Sequence, residues 1–141
     1  MHDVTIRAAR AEDAAVIADL NGQLGYPTSA AEMAERLATI GNDAVLVATQ
    51  GEIVIAWIQV AITSSLESGA FAEIRGLIVD ESHRSARIGA ALVAAGEAWV
   101  RERGIARIRV RSNVIRERTH RFYERLGYVG KKSQRVFDKK V

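Results

Sequence analysis

The feature that most narrows the fold is a strand that runs through a short loop into one long amphipathic helix. Residues 73–79, Glu-Ile-Arg-Gly-Leu-Ile-Val, read as a strand. Across 88–103, Ile88, Leu92, Ala95, Trp99 and Val100 fall at helical spacing, and Gly104 follows as a stop. Such a helix has to lay its apolar stripe on a sheet, which points to a layered α/β domain.

The rest of the chain fits that frame. Val4 and Ile6 alternate with Thr5 and Arg7 in a short strand. Glu12 and Asp13 open a helix carrying Val16, Ile17, Leu20 and Leu24, which Gly25-Tyr26-Pro27 ends. Ser29 and Glu32 form a capping box for a second helix, striped with Met33, Leu37 and Ile40 and stopped by Gly41. Residues 44–49 and 53–62 flank Gln50-Gly51-Glu52 as a hairpin, and 71–80 adds a third strand. Residues 105–112 alternate Ala106, Ile108 and Val110 with Arg107, Arg109 and Arg111. Residues 117–126 predict a last helix closed by Gly127, and 128–140 a final strand or hairpin. The predicted order is β-α-α-β-β-β-α-β-α-β, an α/β sandwich with a mixed, mostly antiparallel sheet flanked by helices.

The 141 residues suit one domain spanning 1–141, and 48% hydrophobic residues suffice for a core. The start has no basic segment followed by an apolar one, and no apolar run approaches the ~18 residues of a membrane span. A cytoplasmic protein away from membranes is expected. The absence of cysteine excludes disulfides, a cysteine nucleophile and thiolate metal sites. No H-E-x-x-H spacing occurs, so no metal is expected.

Charge is divided unevenly. Residues 1–70 hold three basic and nine acidic residues, net −6, and residues 71–141 hold seventeen and eight, net +9. A basic half suits a polyanion such as a phosphate-bearing cofactor, and an acidic half suits a cationic partner. Plain solvated surface charge accounts for the same pattern equally well.

The loop before the long helix is where chemistry first shows. The first N–H groups of a helix lack internal partners and sit at the positive end of its dipole. Small residues there let a pyrophosphate approach. Gly89 and Ala90 are placed at that start, flanked by Arg84 and Arg87. Neither G-x-x-x-x-G-K-[ST] nor G-x-G-x-x-G is present, so this is neither a nucleotide P-loop nor a dinucleotide fingerprint. A capped surface helix after a turn is the alternative.

The segment Arg84-Ser85-Ala86-Arg87-Ile88-Gly89-Ala90 resembles the pyrophosphate loop of the GNAT N-acetyltransferases, R/Q-x-x-G-x-G/A. Asn113 followed by Arg121-Phe122-Tyr123-Glu124-Arg125-Leu126-Gly127-Tyr128 is similar to that family's "N…FYEKLGF" segment, and the opening around Ile6 to Asp13 resembles its first strand and helix. One position departs: Arg87 stands where the family usually has its first loop glycine. A positive φ there would strain arginine, whereas a helical φ would cost little and add a phosphate contact.

The resemblance implies a fold and a mechanism. Acetyl-CoA would be the co-substrate, held by Arg84, Ser85, Ala86, Arg87, Ile88, Gly89 and Ala90 at its pyrophosphate. Its pantetheine arm would lie along Leu77, Ile78 and Val79 with Asn113 on the far side, and one strand N–H, that of Ile78, would polarise the thioester carbonyl. Tyr123 would protonate the departing thiolate, a role for which a phenol with pKa near ~10 is suited; packing between helix and sheet is its other reading. Glu73 would take the amine proton through water, or would simply be solvated or paired with Arg75. Regular alternation puts Glu73, Arg75, Leu77 and Val79 on one face, unless a bulge breaks the parity. Glu67 is a further candidate for holding a cationic substrate. His83 and His120 read as surface residues.

The acceptor implied is a primary amine of a small molecule, aminoglycoside- or polyamine-like among the options, walled by the loop holding Tyr26 and Pro27 with Trp57 on a nearby strand; for Trp57 the core reading comes first. The expected partner is that amine, with no nucleic acid or membrane, and with a homodimer open. Two rivals stand beside this reading: an acetyl-CoA-sensing module without catalysis, and acetylation of peptides or proteins. A nucleic-acid binder would rest on the Arg107, Arg109, Arg111 row alone, without a motif or stacking aromatics.

Overall fold

The computed structural model describes residues 3–83, 86–112 and 116–141. The chain forms two compact units, Met1–Val110 and Arg111–Val141. The first is built on a five-stranded sheet in the order β1(Val4–Ala8), β2(Ala44–Gln50), β3(Ile53–Ser65), β4(Gly69–Val79), β5(Ile108–Val110). Neighbours are antiparallel from β1 to β4, and β5 runs parallel to β4. Three helices accompany it: α1(Ala14–Gln23), α2(Ala30–Thr39) and α3(Ala86–Glu102). The expected mixed, mostly antiparallel α/β architecture is what the chain adopts.

The layers follow from strand alternation. Trp57 on β3 lies opposite Val47 on β2 and Ile78 on β4, and all three join Ile17, Leu20 and Met33 in one buried cluster. That cluster puts α1 and α2 on one face of the sheet. The next β3 residues in the other phase, Ile58 and Val60, meet α3: a Cβ on Gly96 would sit 3.1 Å from Val60 Cγ2. Gly96 thus lets α3 lie close against the opposite face, where Leu92, Val93 and Val100 are buried.

Local chemistry sets the ends. Ser29 Oγ accepts the Glu32 N–H at 3.0 Å, and Glu32 accepts the Ser29 N–H at 3.0 Å, the reciprocal box that the sequence predicts for α2. Gly51 turns the β2–β3 hairpin with φ 62°. Asp13, by contrast, serves an anchor rather than the first turn of α1. It lies in a short 3-10 turn, Ala11–Asp13, and is 5% exposed. Its carboxylate accepts both Arg7 guanidinium nitrogens, at 2.8 and 3.0 Å, and the Arg10 N–H at 2.7 Å. This ties β1 to the entry of α1.

Three expectations shift. The strand expected over 105–112 is only Ile108–Val110, where the ladder to β4 has three pairs; Arg107 and Arg109 lie over Phe71, 5.3 and 4.4 Å from its ring centre. The long helix starts at Ala86, two residues before the predicted 88. In the second unit, α4(Glu117–Arg125) forms as expected and Gly127 follows it with φ 92°. The strand predicted over 128–140 is absent: past Tyr128 the chain is exposed throughout. A segment carrying Lys131, Lys132, Arg135, Lys139 and Lys140 keeps its backbone solvated unless a neighbouring strand supplies a ladder.

The Arg7 hydrogen bonds hold the Asp13 carboxyl below its ordinary pKa. The lowered folded value means this stabilisation is whole above the unfolded pKa near ~4 and is lost as pH falls through the folded one. Asp13→Asn is therefore expected to cost about 2 kcal/mol at pH 7, with the gap to wild type closing near pH 3. Urea denaturation at the two pH values measures it.

Candidate functional site

The site is organised by one extra residue in β4. Pairing steps from Gln59 with Gly76 to Val60 with Ile74, which leaves Arg75 without an opposite number. A bulge of this kind changes which residues share a face. Glu73 lies opposite Ala61, Gly76 opposite Gln59 and Ile78 opposite Trp57. Glu73 therefore shares the α1/α2 face with Gly76 and Ile78, not with Leu77 and Val79 as regular alternation had it. Glu73 is buried, and its Oε1 lies 3.7 Å from Arg75 Nη1. Arg75 also donates to Thr63 Oγ1 at 3.4 Å. The Arg75 pairing that the sequence left open is thus present.

Further along, β4 loses a neighbour. Its pairing with β5 covers Ala72, Glu73 and Ile74 only. On the other side Leu77, Ile78 and Val79 remain paired with Ile58, Trp57 and Ala56 of β3. Among the described residues no strand faces these three on the β5 side. Main-chain groups left so can pair with an extended ligand in the manner of an added strand.

Beyond β4 the chain turns through a hydrogen-bonded knot. The Asp80 carboxylate accepts from Gln23 Nε2 and from His83 Nδ1, each at 2.7 Å, and from the Ser82 hydroxyl. These bonds, that of Ser82 foremost, hold Asp80 far below the ordinary carboxylate range. Gln23 Oε1 accepts the Glu81 N–H at 2.9 Å, so α1 is fastened to the end of β4. His83, expected as a surface residue, is an Asp80 partner; Gln23 and Asp80 had no sequence signal beyond their polarity.

The helix start follows. Arg84, Ser85 and Asn113 lie outside the described residues. Arg87 is the second residue of α3, and no described non-glycine residue has a positive φ. The helical alternative for Arg87 therefore holds, without backbone strain. With α3 beginning at Ala86, the amides of Ala86, Arg87 and Ile88 are the described ones that precede the first helix bond. Gly89, which is buried, and Ala90 fall past them, which corrects their placement at the helix start. An open β4 edge leading toward these amides fits a ligand with an extended arm and an anionic end.

Tyr123 belongs to the second unit. It is 8% exposed, packs edge-on between Phe122 and Tyr128 at 5.0 and 5.4 Å, and burial pushes its phenol up to about 12. It is a firmly protonated acid across the ordinary pH range.

A separate pocket of about 230 Å³ opens on the α1/α2 face, lined by Asn21 of α1, Met33, Arg36 and Leu37 of α2, and Trp57 and Gln59 of β3, among others. Trp57, considered as either acceptor wall or core, is a member of the buried core cluster that also lines this pocket. Its indole Nε1 is enclosed with no hydrogen-bond partner. Tyr26, by contrast, is 58% exposed. Arg36 and Gln59 were not anticipated, although Arg36 is conspicuous as the one basic residue between positions 11 and 70. Among the described residues no group of three His, Asp or Glu side chains can hold a metal ion, and no helix is long and apolar enough to cross a membrane.

Comparison with known proteins agrees with this architecture. The acetyltransferase (GNAT) family model matches residues 14–128, and the chain belongs to that family. Its fold is similar to a transcriptional regulator from Bacillus halodurans C-125, at 25% identity and TM-score 0.83, covering 97% of this chain and 100% of the other. It is similar to an aminoglycoside antibiotic 6'-N-acetyltransferase from Acinetobacter baumannii, at 18% identity and TM-score 0.83, covering 99% of each. It is similar also to a ribosomal-protein-alanine N-acetyltransferase from Brucella melitensis, at 19% identity and TM-score 0.80, covering 98% and 100%. No curated protein matches.

The bulge has a steric condition. A Cβ at Gly76 would come within 2.7 Å of Trp57 Cη2 and 2.8 Å of Cζ3. Gly76→Ala is expected to lose about 1–3 kcal/mol by overpacking, and far less when combined with Trp57→Leu. A double-mutant cycle in urea measures the coupling.

Proposed function

We propose that this protein transfers the acetyl group of acetyl-CoA directly to a primary amine of a small molecule, both substrates being bound together. The observation that carries the reading is the β4 edge at Leu77, Ile78 and Val79, which no strand among the described residues faces on the β5 side and which runs toward the first amides of α3. Acetyl-CoA supplies a thioester, whose carbonyl carbon takes the amine.

The roles of the chain's own groups follow from that. Ala86, Arg87 and Ile88 offer amides to phosphate oxygens, with Arg84 and Arg87 adding charge, Ser85 a hydroxyl, and Gly89 and Ala90 their small size behind them. Leu77, Ile78 and Val79 offer their main chain to the pantetheine arm, and Asn113 an amide from its other side. The N–H groups placed to stabilise negative charge on the carbonyl oxygen are those of Leu77 and Val79 rather than the expected Ile78: Asp80 N–H donates to Ile55 O of β3 at 2.8 Å, and alternation turns the Ile78 N–H to β3 as well. Tyr123 holds a proton for the leaving sulfur; its raised pKa keeps that proton in place until needed. Glu73, on the acceptor face, receives the amine's proton through water, with Arg75 holding its carboxylate in position. The absence of cysteine leaves no thiol in the chain for an acetyl-enzyme. The reading extends to one catalytic domain of 1–141, cytoplasmic, acting apart from metal, nucleic acid and membrane, with a homodimer as its assembly.

Calorimetry with acetyl-CoA tests the foundation: absence of both heat and a melting shift would end the proposal. Tyr123→Phe is expected to lower kcat by about a hundredfold or more while the Kd for acetyl-CoA stays within twofold, and unchanged turnover removes Tyr123 from the acid role. Because the protonated phenol is the working form, wild-type turnover should show no fall assignable to Tyr123 until pH approaches about 12. Gly89→Glu, which sets a carboxylate beside the phosphate-facing amides, should weaken acetyl-CoA binding by about tenfold or more.

A further inference from the structure

The 230 Å³ pocket on the α1/α2 face is distinct in its chemistry from the acidic balance of the N-terminal half. Its charged lining residue is a cation, Arg36. Its walls are otherwise apolar or amide-bearing: Ile17, Met33 and Leu37 on the helix side, Trp57 and Gln59 on the sheet side. The Gln59 Nε2 is already given to Asp43 at 2.9 Å, so that acid is engaged at the pocket's edge. Glu32, one turn before Arg36, is held in the Ser29 cap.

Two donors belong to residues that line this space, one on an exposed residue and one enclosed. One is the Arg36 guanidinium. The other is Trp57 Nε1, on a residue only 9% exposed, with no acceptor. A buried N–H without a partner is costly, and a ligand oxygen there relieves the cost. Met33, unbranched and easily repacked, is the wall that can move to admit one. A polycation meets the wrong charge here. A carboxylate meets both donors with its two oxygens, and an adjoining hydrocarbon meets Ile17 and Leu37.

Position completes the argument. On β3, Gln59 in the pocket is two residues from Ala61, which lies opposite Glu73, and all three share one face. A group seated on Arg36 and Trp57 thus lies on the same sheet face as the carboxylate assigned to the amine's proton.

We propose that this pocket selects an acceptor amine that also carries a carboxylate and an apolar body, the chemistry of an apolar amino acid, with Arg36 and Trp57 as the specificity-determining residues. The inference rests on the transferase reading above, and its test separates the two. Thiol release is followed with leucine, leucinamide and spermidine as acceptors. Leucine should exceed leucinamide in kcat/KM by about tenfold or more, and both should exceed spermidine. Arg36→Gln should bring the leucine-to-leucinamide ratio near one through the KM for leucine. The second readout needs no turnover: N-acetylleucine should shift the indole N–H resonance of Trp57, identified by its disappearance in Trp57→Phe, and N-acetylleucinamide should shift it less. Preference for spermidine, a ratio untouched by Arg36→Gln, or an unmoved indole resonance overturns the proposal. Absence of acetyl-CoA binding together with absence of thiol release strikes the transferase reading instead, and the indole resonance still decides the pocket.

Discussion

The extra residue at Arg75 is the constraint on which the rest of the first unit depends. By skipping one pairing, β4 keeps Ile74 facing the α3 layer while its later half reverses phase. Glu73, Gly76 and Ile78 come to one face together, and Leu77 and Val79 turn to the other. The same strand then passes from full pairing, β3 on one side and β5 on the other, to pairing on one side only. A buried carboxylate and an open backbone edge are thus placed on consecutive stretches of a single strand. Without the skip, Glu73 and the Trp57 layer would lie on opposite sides of the sheet.

Packing holds that arrangement in place. Trp57 needs the bare Cα of Gly76 to lie flat against β4, and in doing so closes the floor of the α1/α2 layer. On the neighbouring edge, Arg107 and Arg109 lay their guanidinium groups over Phe71. Their alternating row has a structural account as cations on an aromatic face, so the basic C-terminal half does not of itself call for a polyanion on β5.

Much of this was legible in the sequence wherever the cause is local. The Ser29–Glu32 box, the Gly51 hairpin and the stripe of Ile88, Leu92 and Val100 each act within a few residues, and each formed as read. Of the loop motif around Gly89, the helical placement of Arg87 is what the structure bears out, one of the two alternatives the sequence left open. The parity of Glu73 was not legible, because a bulge is a property of two paired strands rather than of one. The strand expected over 128–140 failed for a kindred reason: alternation shows what a segment would bury, but not whether a neighbour exists to bury it against. Arg36 was overlooked since a single cation on a helix ordinarily signals solvent, and its place in the lining of a pocket is visible only in the fold.

The amide of Gln23 grips both Asp80 and the Glu81 main chain, so the last turn of α1 and the turn leading to α3 are clasped by one side chain. The end of α1 and the bend that leads into α3 accordingly share a fastening. A change that shifts the last turn of α1 is transmitted through that one amide to the far end of β4. On the proposed reading, reshaping one substrate's wall disturbs the seat of the other.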